Sequence, residues 1–357
     1  MTIQTLDKKE WENFSLESLF TVGAGKRLTN ADKIEGKRPF IGATDNSNGV
    51  TGFVGNDNAS KDSNVLGVNY NGAPCIAFYH PYECVFTDDV KRLHLRYRND
   101  NEAELLFFKI VIMQQRSKYS YGYKFKEKRM LRQKLMVPVT DSGEPDYEYM
   151  ADYVRECQDA MLAIYRVYME RRIAKLGDCT KVHALSEKKW TPFTVRDLFS
   201  TVVPTKGDTT GQLVLGNDVP YIAASKFNNG YAYMCDGKAY PEWVSDGNCI
   251  LFVQLGDGAA GWSHYIPMRF IGMNGKTSCG YSPFLNEYVG VFIARCLSIN
   301  KQKFSYGHSW TGKRLLNTRV MLPTNGSGEP DYEYMEQYIK NMMIRKYKQY
   351  TAFLDRG

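Results

Sequence analysis

The 357-residue chain has no apolar run near the ~18 residues that a membrane-spanning helix requires. Its polar start, Met1 to Lys9, lacks the apolar stretch of a signal peptide, so a cytoplasmic protein with no membrane contact is expected. Eight cysteines include no Cys-x-x-Cys pair. Cys75, Cys84, Cys249 and Cys296 lie among apolar neighbours and read as small core residues rather than a disulfide frame or zinc site. The five histidines, His80, His94, His183, His264 and His308, show no metal-ligand pairing, so no metal is expected. No Asn-Pro-Pro-Tyr methyltransferase motif is present. Gly275–Lys276–Thr277 looks like the end of a phosphate loop, but Phe270 stands where the loop needs glycine. Neither Pro145–Asp146 nor Pro330–Asp331 is followed by the Glu-x-Lys of a nuclease. These absences argue against catalysis and against a cofactor in this chain.

What is present is a basic, tyrosine-rich globular composition. Lys and Arg number 46 against 39 Asp and Glu, a formal charge of +7, which fits a polyanionic partner whose counterions a cation can release. Tyrosine occurs 25 times and supplies rings for cores or interfaces.

The dominant feature is a duplication. Ser142–Met150 reads SGEPDYEYM, and Ser327–Met335 repeats those nine residues 185 positions later. Pro138 answers Pro323, Ser120–Tyr121–Gly122 answers Ser305–Tyr306–Gly307, and Lys128–Arg129 answers Lys313–Arg314. At the start of each half, Trp11, Phe14 and Leu19–Phe20 match Trp190, Phe193 and Leu198–Phe199 at an offset of 179. Between them Pro39–Ala43 matches Pro220–Ala224 at an offset of 181. The framework repeats while the intervening segments diverge, which suits one task performed on two targets.

Each half is expected to begin with a short helix, Ser15–Phe20 or Thr194–Phe199. A region of short strands broken by Gly, Asn and Asp follows, including Cys75–Tyr79, Val85–Phe86, Leu93–Tyr97, Tyr221–Ala224 and Cys249–Gln254. A long helix closes each half. In the first, Tyr147, Met150, Val154, Cys157, Met161, Ile164 and Tyr168 form a heptad seam from a start near Pro145 to a stop at Gly177. The second carries Tyr332, Met335, Ile339 and Met342. The two helices are expected to pair antiparallel as a spacer; the alternative is that each packs on its own domain.

The Trp-x-x-Phe openings, the Pro-Phe-Ile-Gly-Ala and Pro-Tyr-Ile-Ala-Ala segments, the Lys-Arg before a strand ending in Pro and the GEPDYEYM element together carry a resemblance. The chain resembles the DNA-specificity subunits of type I restriction–modification systems and their shorter type IIB relatives, twice over its length. That resemblance implies an α+β fold with internal pseudo-twofold duplication. Two tandem target-recognition domains of twisted mixed β-sheet with short helices would be separated by two long antiparallel coiled-coil helices. The boundaries expected are 1–141 for the first domain, 142–185 for spacer helix and link, 186–326 for the second domain and 327–357 for the second spacer helix. The resemblance also implies double-stranded DNA read at a split site and methyltransferase subunits, which bind S-adenosylmethionine, docked on the helices. Tyr147, Met150, Val154, Met161, Ile164, Tyr332, Met335, Ile339 and Met342 are the expected partner-binding positions. Both helices are shorter than in the larger type I subunits, which leaves open whether a restriction subunit joins. A free-standing DNA-binding or decoy protein, and a duplicated scaffold with no nucleic-acid role, are the other readings.

Residues that could read DNA are loop donors and acceptors beside the sheets, since base edges specify and phosphates orient. In the first half these are Asp45, Asn46 and Asn48 beside Thr44, then Asn71 beside Asn69 and Tyr70, then the cluster Lys124, Lys126, Lys128 and Arg129. In the second they are Lys226, Asn228 and Asn229 beside Ser225, then Asp257 beside Gln254, then His308, Trp310, Lys313 and Arg314. The Asn/Gly segments have plain turn chemistry as their alternative, and the basic clusters a solvated face.

Overall fold

A computed structural model describes residues 3–120, 122–209, 211–256, 258–305 and 307–355. The first half runs β1 (Trp11–Ser15), α1 (Leu16–Leu19), β2 (Phe20–Ala24), β3 (Arg38–Ile41), β4 (Val50–Val54), β5 (Lys61–Asp62), β6 (Val65–Asn69), β7 (Ala77–His80), β8 (Cys84–Phe86) and β9 (Val90–Leu95). It continues through α2 (Glu102–Met113), α3 (Glu127–Arg132), β10 (Lys134–Pro138) and α4 (Tyr147–Leu176). The second half repeats that order: β11 (Trp190–Thr194), α5 (Val195–Leu198), β12 (Thr201–Pro204), β13 (Leu215–Ile222), β14 (Tyr231–Cys235), β15 (Val244–Ser245), β16 (Cys249–Val253), β17 (Ser263–Ile266), β18 (Phe270–Gly272) and β19 (Thr277–Tyr281). It ends with α6 (Glu287–Ser298), α7 (Gly312–Leu316), β20 (Arg319–Pro323) and α8 (Tyr332–Leu354).

The duplication is structural as well as sequential. The sheets of the first half have strand orders β2-β9-β6-β7 and β4-β3-β8-β5, and those of the second β12-β19-β16-β17 and β14-β13-β18-β15. Each half also has a two-stranded ribbon, Trp11 opposite Pro138 in one and Trp190 opposite Pro323 in the other. One four-stranded sheet of each half is mixed, with β3 parallel to β8 and β13 parallel to β18, while the other pairings are antiparallel. β10 and β20 alternate up to their closing prolines, with Leu135 and Val137, or Val320 and Leu322, buried and the residues between them exposed.

Two helices that sequence periodicity did not reveal, α2 and α6, complete the cores. Asn101 caps α2 by accepting from Ala103 N and Glu104 N, and Asn286 caps α6 by accepting from Tyr288 N and Val289 N. Around them Leu16, Phe20, Phe108, Phe125, Met130 and Met150 form one core. Val195, Leu198, Phe252, Phe292, Trp310 and Met335 form the other.

The compact units are Met1–Val167 and Tyr168–Gly357, so their boundary falls inside the 30-residue helix α4. The repeated GEPDYEYM element acts at each helix start, where Asp, rather than the preceding Pro, opens the helix. Asp146 Oδ1 accepts from Tyr149 N at 3.0 Å while its Oδ2 pairs with Lys9 at 2.7 Å. Asp331 repeats this with Tyr334 N at 3.0 Å and Lys188 at 2.7 Å. The same tyrosine hydroxyls donate to Gln4 O at 2.8 Å and His183 O at 2.9 Å.

The expected continuous seam breaks up. Tyr147, Met150 and Val154 pack on the core of the first unit, whereas Met161 and Ile164 are 64% and 72% exposed. Tyr332, Met335, Ile339 and Met342 pack on the core of the second unit. An antiparallel contact does form within that unit, at the end of α4. There Thr351 Oγ1 lies 3.8 Å from Met169 Sδ, Arg172 hydrogen bonds to Tyr347, and Asn341 exchanges hydrogen bonds with the Thr180 backbone.

Two predictions follow from these contacts. Asp331→Ala or Asp146→Ala removes a helix cap and leaves a half-buried lysine unpaired, so each should destabilise the chain by ~1–2 kcal/mol in urea unfolding. Unchanged unfolding midpoints would assign the ion pairs no structural role. In the first unit, His94 Nδ1 lies 2.6 Å from Asp100 and Nε2 3.0 Å from Asp62. Burial works against the imidazolium, but hydrogen bonds to both carboxylates prevail and raise its pKa above the ordinary value. A raised folded pKa stabilises fully below the unfolded value and loses that stabilisation as pH rises through the folded one. The melting-temperature gap between the wild type and His94→Gln should therefore shrink as pH rises above the ordinary imidazole value of ~6.5; a constant gap would refute the charged bridge.

Candidate nucleic-acid interface

In the first unit the loop after β3, residues 42–49, contains a left-handed turn in which Asn48 adopts φ 51° and Gly49 φ 75°. Asp45, Asn46 and Asn48 are exposed on it, with Asn46 Nδ2 donating to Asp45 Oδ1 at 2.8 Å. The β6–β7 loop meets this turn from beside it. Buried Asn69 donates to Thr44 O at 2.9 Å, so it supports the loop from inside the fold. Asn71 donates to Asp89 Oδ1 at 2.8 Å on the β8–β9 loop. The segment between α2 and α3 joins them through Arg116, 3.9 Å from Asp45, and the first residue of α3, Glu127, pairs at 2.7 Å with Lys91, whose ammonium also faces Tyr70. Lys126 and Lys128 are exposed and Lys124 half-buried. Arg129 lies 3.9 Å from the Tyr123 ring centre and donates to Lys124 O at 2.9 Å. The expected first-half residues are thus brought to one contiguous surface.

The second unit builds the same surface from different side chains. Lys226, Asn228 and Asn229 are exposed on the loop after β13, and Asn229 again turns left-handed at φ 51°. His264 donates from Nε2 to Ser225 O at 2.8 Å. Burial holds this histidine below its ordinary pKa and so keeps it neutral. His308, Lys313 and Arg314 are exposed, and the Arg314 guanidinium donates to Ser309 O as Arg129 does to Lys124 O. Asp257 lies outside the described residues.

Several expected positions do other work. Trp310 is fully buried: its indole packs on Phe252 and Phe304 and donates to Thr318 Oγ1 at 2.8 Å. It occupies the place of Phe125, also fully buried, so neither ring reaches a ligand. Gln254 is buried, and its carbonyl accepts from Trp310 N. Met150, Met335 and Ile339, expected to bind a partner, are buried in their own units, and Tyr147, Val154, Tyr332 and Met342 are packed against the same cores; only Met161 and Ile164 of that set are exposed.

Trp262 is a contributor the sequence did not single out. Lys301, at the start of the basic segment Lys301–Arg314, lies 4.1 Å from its ring centre, and both line a cleft with Lys226, Gly256, Gly258 and Ser305. The glycine-rich run Gly256–Gly261 between two strands was its available signal.

Charge distribution decides what the two surfaces can do. Residues 114–129 carry six cations against Glu127, a formal +5, and residues 299–314 carry four cations and no acid, a formal +4. Together they hold +9 in a chain of +7, so the remainder is net −2. The basic excess is concentrated beside the Asn-bearing turns rather than spread as a solvated coat. Cations flanking exposed amide and carboxylate groups suit phosphate anchoring next to base-edge contacts. Among the described residues no cluster of three His, Cys, Asp or Glu gathers to hold a metal, and no helix is long and apolar enough to cross a membrane.

Residues 8–163 match the family described as type I restriction modification DNA specificity domain. Over 160 residues the chain is 48% identical to the type II restriction enzyme BgcI specificity subunit S.BcgI of Heyndrickxia coagulans. That match covers 45% of this chain and 47% of the relative, so the chain spans about half the length of the curated protein it matches. Among solved structures, it is similar to the type I restriction–modification system S subunit from M. genitalium, with TM-score 0.49 and 14% identity over 99% of this chain and 94% of that one. The HsdS subunit from Thermoanaerobacter tengcongensis gives TM-score 0.31 and 13% identity over 97% and 91%.

Arg129→Ala and Arg314→Ala should each weaken binding to duplex DNA. A phosphate contact would show as an equal loss on all sequences with the salt slope reduced by about one. Unchanged affinity at several salt concentrations would reduce both arginines to loop supports.

Proposed function

We propose that this chain, whose residues 8–163 match the type I restriction modification DNA specificity domain family, is the specificity subunit of a restriction–modification complex. It reads a bipartite site on double-stranded DNA, one half-site with each unit, and contributes no catalytic group. The observation that carries this reading is the recurrence, on one repeated topology, of a cationic segment beside an exposed turn of different sequence. Repeated scaffold gives equivalent docking on phosphates, and different turns give different base contacts.

Modification chemistry is then assigned to methyltransferase subunits that carry S-adenosylmethionine. The exposed Met161 and Ile164 on α4 offer them an apolar foothold. Met161→Asp combined with Ile164→Asp should abolish copurification with the methyltransferase while leaving DNA affinity unchanged. Loss of neither would remove α4 from the docking surface. Salt-dependent DNA binding without any methyltransferase in the source cell would favour a free-standing binder.

Modularity gives the decisive test. Exchanging residues 11–138 for the matching segment of a relative should alter one half-site in methylated-base sequencing and leave the other intact. Simultaneous change of both half-sites would overturn the two-module reading. Four residues inserted between Cys157 and Met161 extend α4 by about 6 Å at 1.5 Å per residue, and should lengthen the gap by one or two steps of ~3.4 Å. A constant gap in a folded variant would mean that α4 is not the spacer.

A further inference from the structure

The turns at 42–49 and 223–230 are the same object with different side chains. In the first, Gly42 N donates to Gly49 O, Thr44 N to Gly42 O and Gly49 N to Asn46 O. In the second, Ala223 N donates to Gly230 O, Ser225 N to Ala223 O and Gly230 N to Phe227 O. Asn46 N bonds to Thr44 Oγ1 at 3.3 Å, and Phe227 N to Ser225 Oγ at 3.1 Å. Asn48 and Asn229 share φ 51°. A Cβ at Gly230 would come within 2.8 Å of Ala223 O, so the turn closes on a glycine at this position, and its backbone bonds hold the residues between. Position 46 in one unit is therefore position 227 in the other, and the residue there can change without altering the turn.

Phe227 is 68% exposed on this clamped loop. Its ring faces the Lys226 ammonium at 5.2 Å. A large apolar ring held in water on a rigid turn is surface that the fold itself does not use. Lys226 and Lys301 on the neighbouring cleft make a polyanion the charge-complementary occupant.

Resting on the DNA-reading role argued above, we propose that Phe227 is a specificity-determining residue that packs against the 5-methyl group of a thymine in the major groove. Thymine alone among the four bases presents a methyl group there, and phenylalanine can contact it without a hydrogen bond. Lys226 holds the phosphate or guanine edge alongside. In the first unit Asn46 occupies the same place and presents an amide instead, so the two units read different chemistry from one position.

The test uses the full-length chain with the methyltransferase that copurifies with it, a random duplex library, and the selected duplexes resynthesised with deoxyuridine at each thymine in turn. Wild type should lose about fourfold in affinity at one thymine of the second half-site, the worth of one buried methyl group. Phe227→Ala should bind the thymine and deoxyuridine duplexes equally and keep the first half-site unchanged, while Phe227→Leu should retain discrimination. Retained thymine preference in Phe227→Ala, or an equal loss on all sequences, would overturn the proposal. So would loss of methyltransferase copurification with DNA selection intact, which would make Phe227 a protein contact. Absence of any selected sequence for wild type would instead bring down the DNA-reading role itself.

Discussion

The junction at the start of each long helix organises the rest of the molecule. One aspartate both caps the helix and holds the lysine two residues before the ribbon tryptophan, Asp146 with Lys9 and Asp331 with Lys188. The tyrosine three residues on lies under that lysine, 5.0 Å away in one unit and 4.7 Å in the other, and reaches back to a carbonyl before the ribbon. The tryptophan indole bonds to that same leading segment, Trp11 to Leu6 O and Trp190 to Leu185 O. Each pair is worth little alone, since partly solvated ion pairs contribute ~1 kcal/mol or less. Their value is geometric: first strand, last strand and long helix of each unit are tied at one point, which closes the chain around its sheets.

With the ends tied, the turns at the sheet rim are free to vary. Buried Asn69 and His264 pin those turns from beneath by bonds to backbone carbonyls, Thr44 O and Ser225 O, and these bonds do not depend on the exposed side chains. Substitutions at exposed positions usually shift stability by about 0.5 kcal/mol or less, whereas truncating a core ring costs ~3–5 kcal/mol. Recognition chemistry therefore sits where change is tolerated.

The duplication and its shared framework were legible because nine identical residues and matched prolines survive in both copies. The short helix that opens each half, and strands such as β8 and β16, were legible to within a few residues. α2 was not, because Glu102–Met113 is apolar on most faces and shows no clean period; nor was α6, although its exposed Val291 and Arg295 recur four residues apart. Their asparagine caps were the readable signal. The seam of α4 misled because evenly spaced apolar residues serve two environments, the core at Met150 and solvent at Ile164. Trp310 misled because it lies among cations, although an aromatic at the same place in both copies, Phe125 and Trp310, is what a core position demands. Exposure of Phe227 had no sequence signal, since only the clamped turn keeps its ring out of the core.

The repeated turn also explains why the loop asparagines resist a single assignment. Asn48 and Asn229 are required for a left-handed backbone and are still exposed on the reading surface. Asparagine tolerates that geometry at low cost and carries an amide suited to adenine. Turn chemistry and recognition are thus compatible in one residue. At positions free of the backbone demand, 45 and 46 in one unit and 226 and 227 in the other, the units differ most in chemistry: an aspartate and an asparagine against a lysine and a phenylalanine. The Asn-Gly pair that ends each turn is shared, 48–49 and 229–230, while the exposed residues before it diverge in charge, polarity and size.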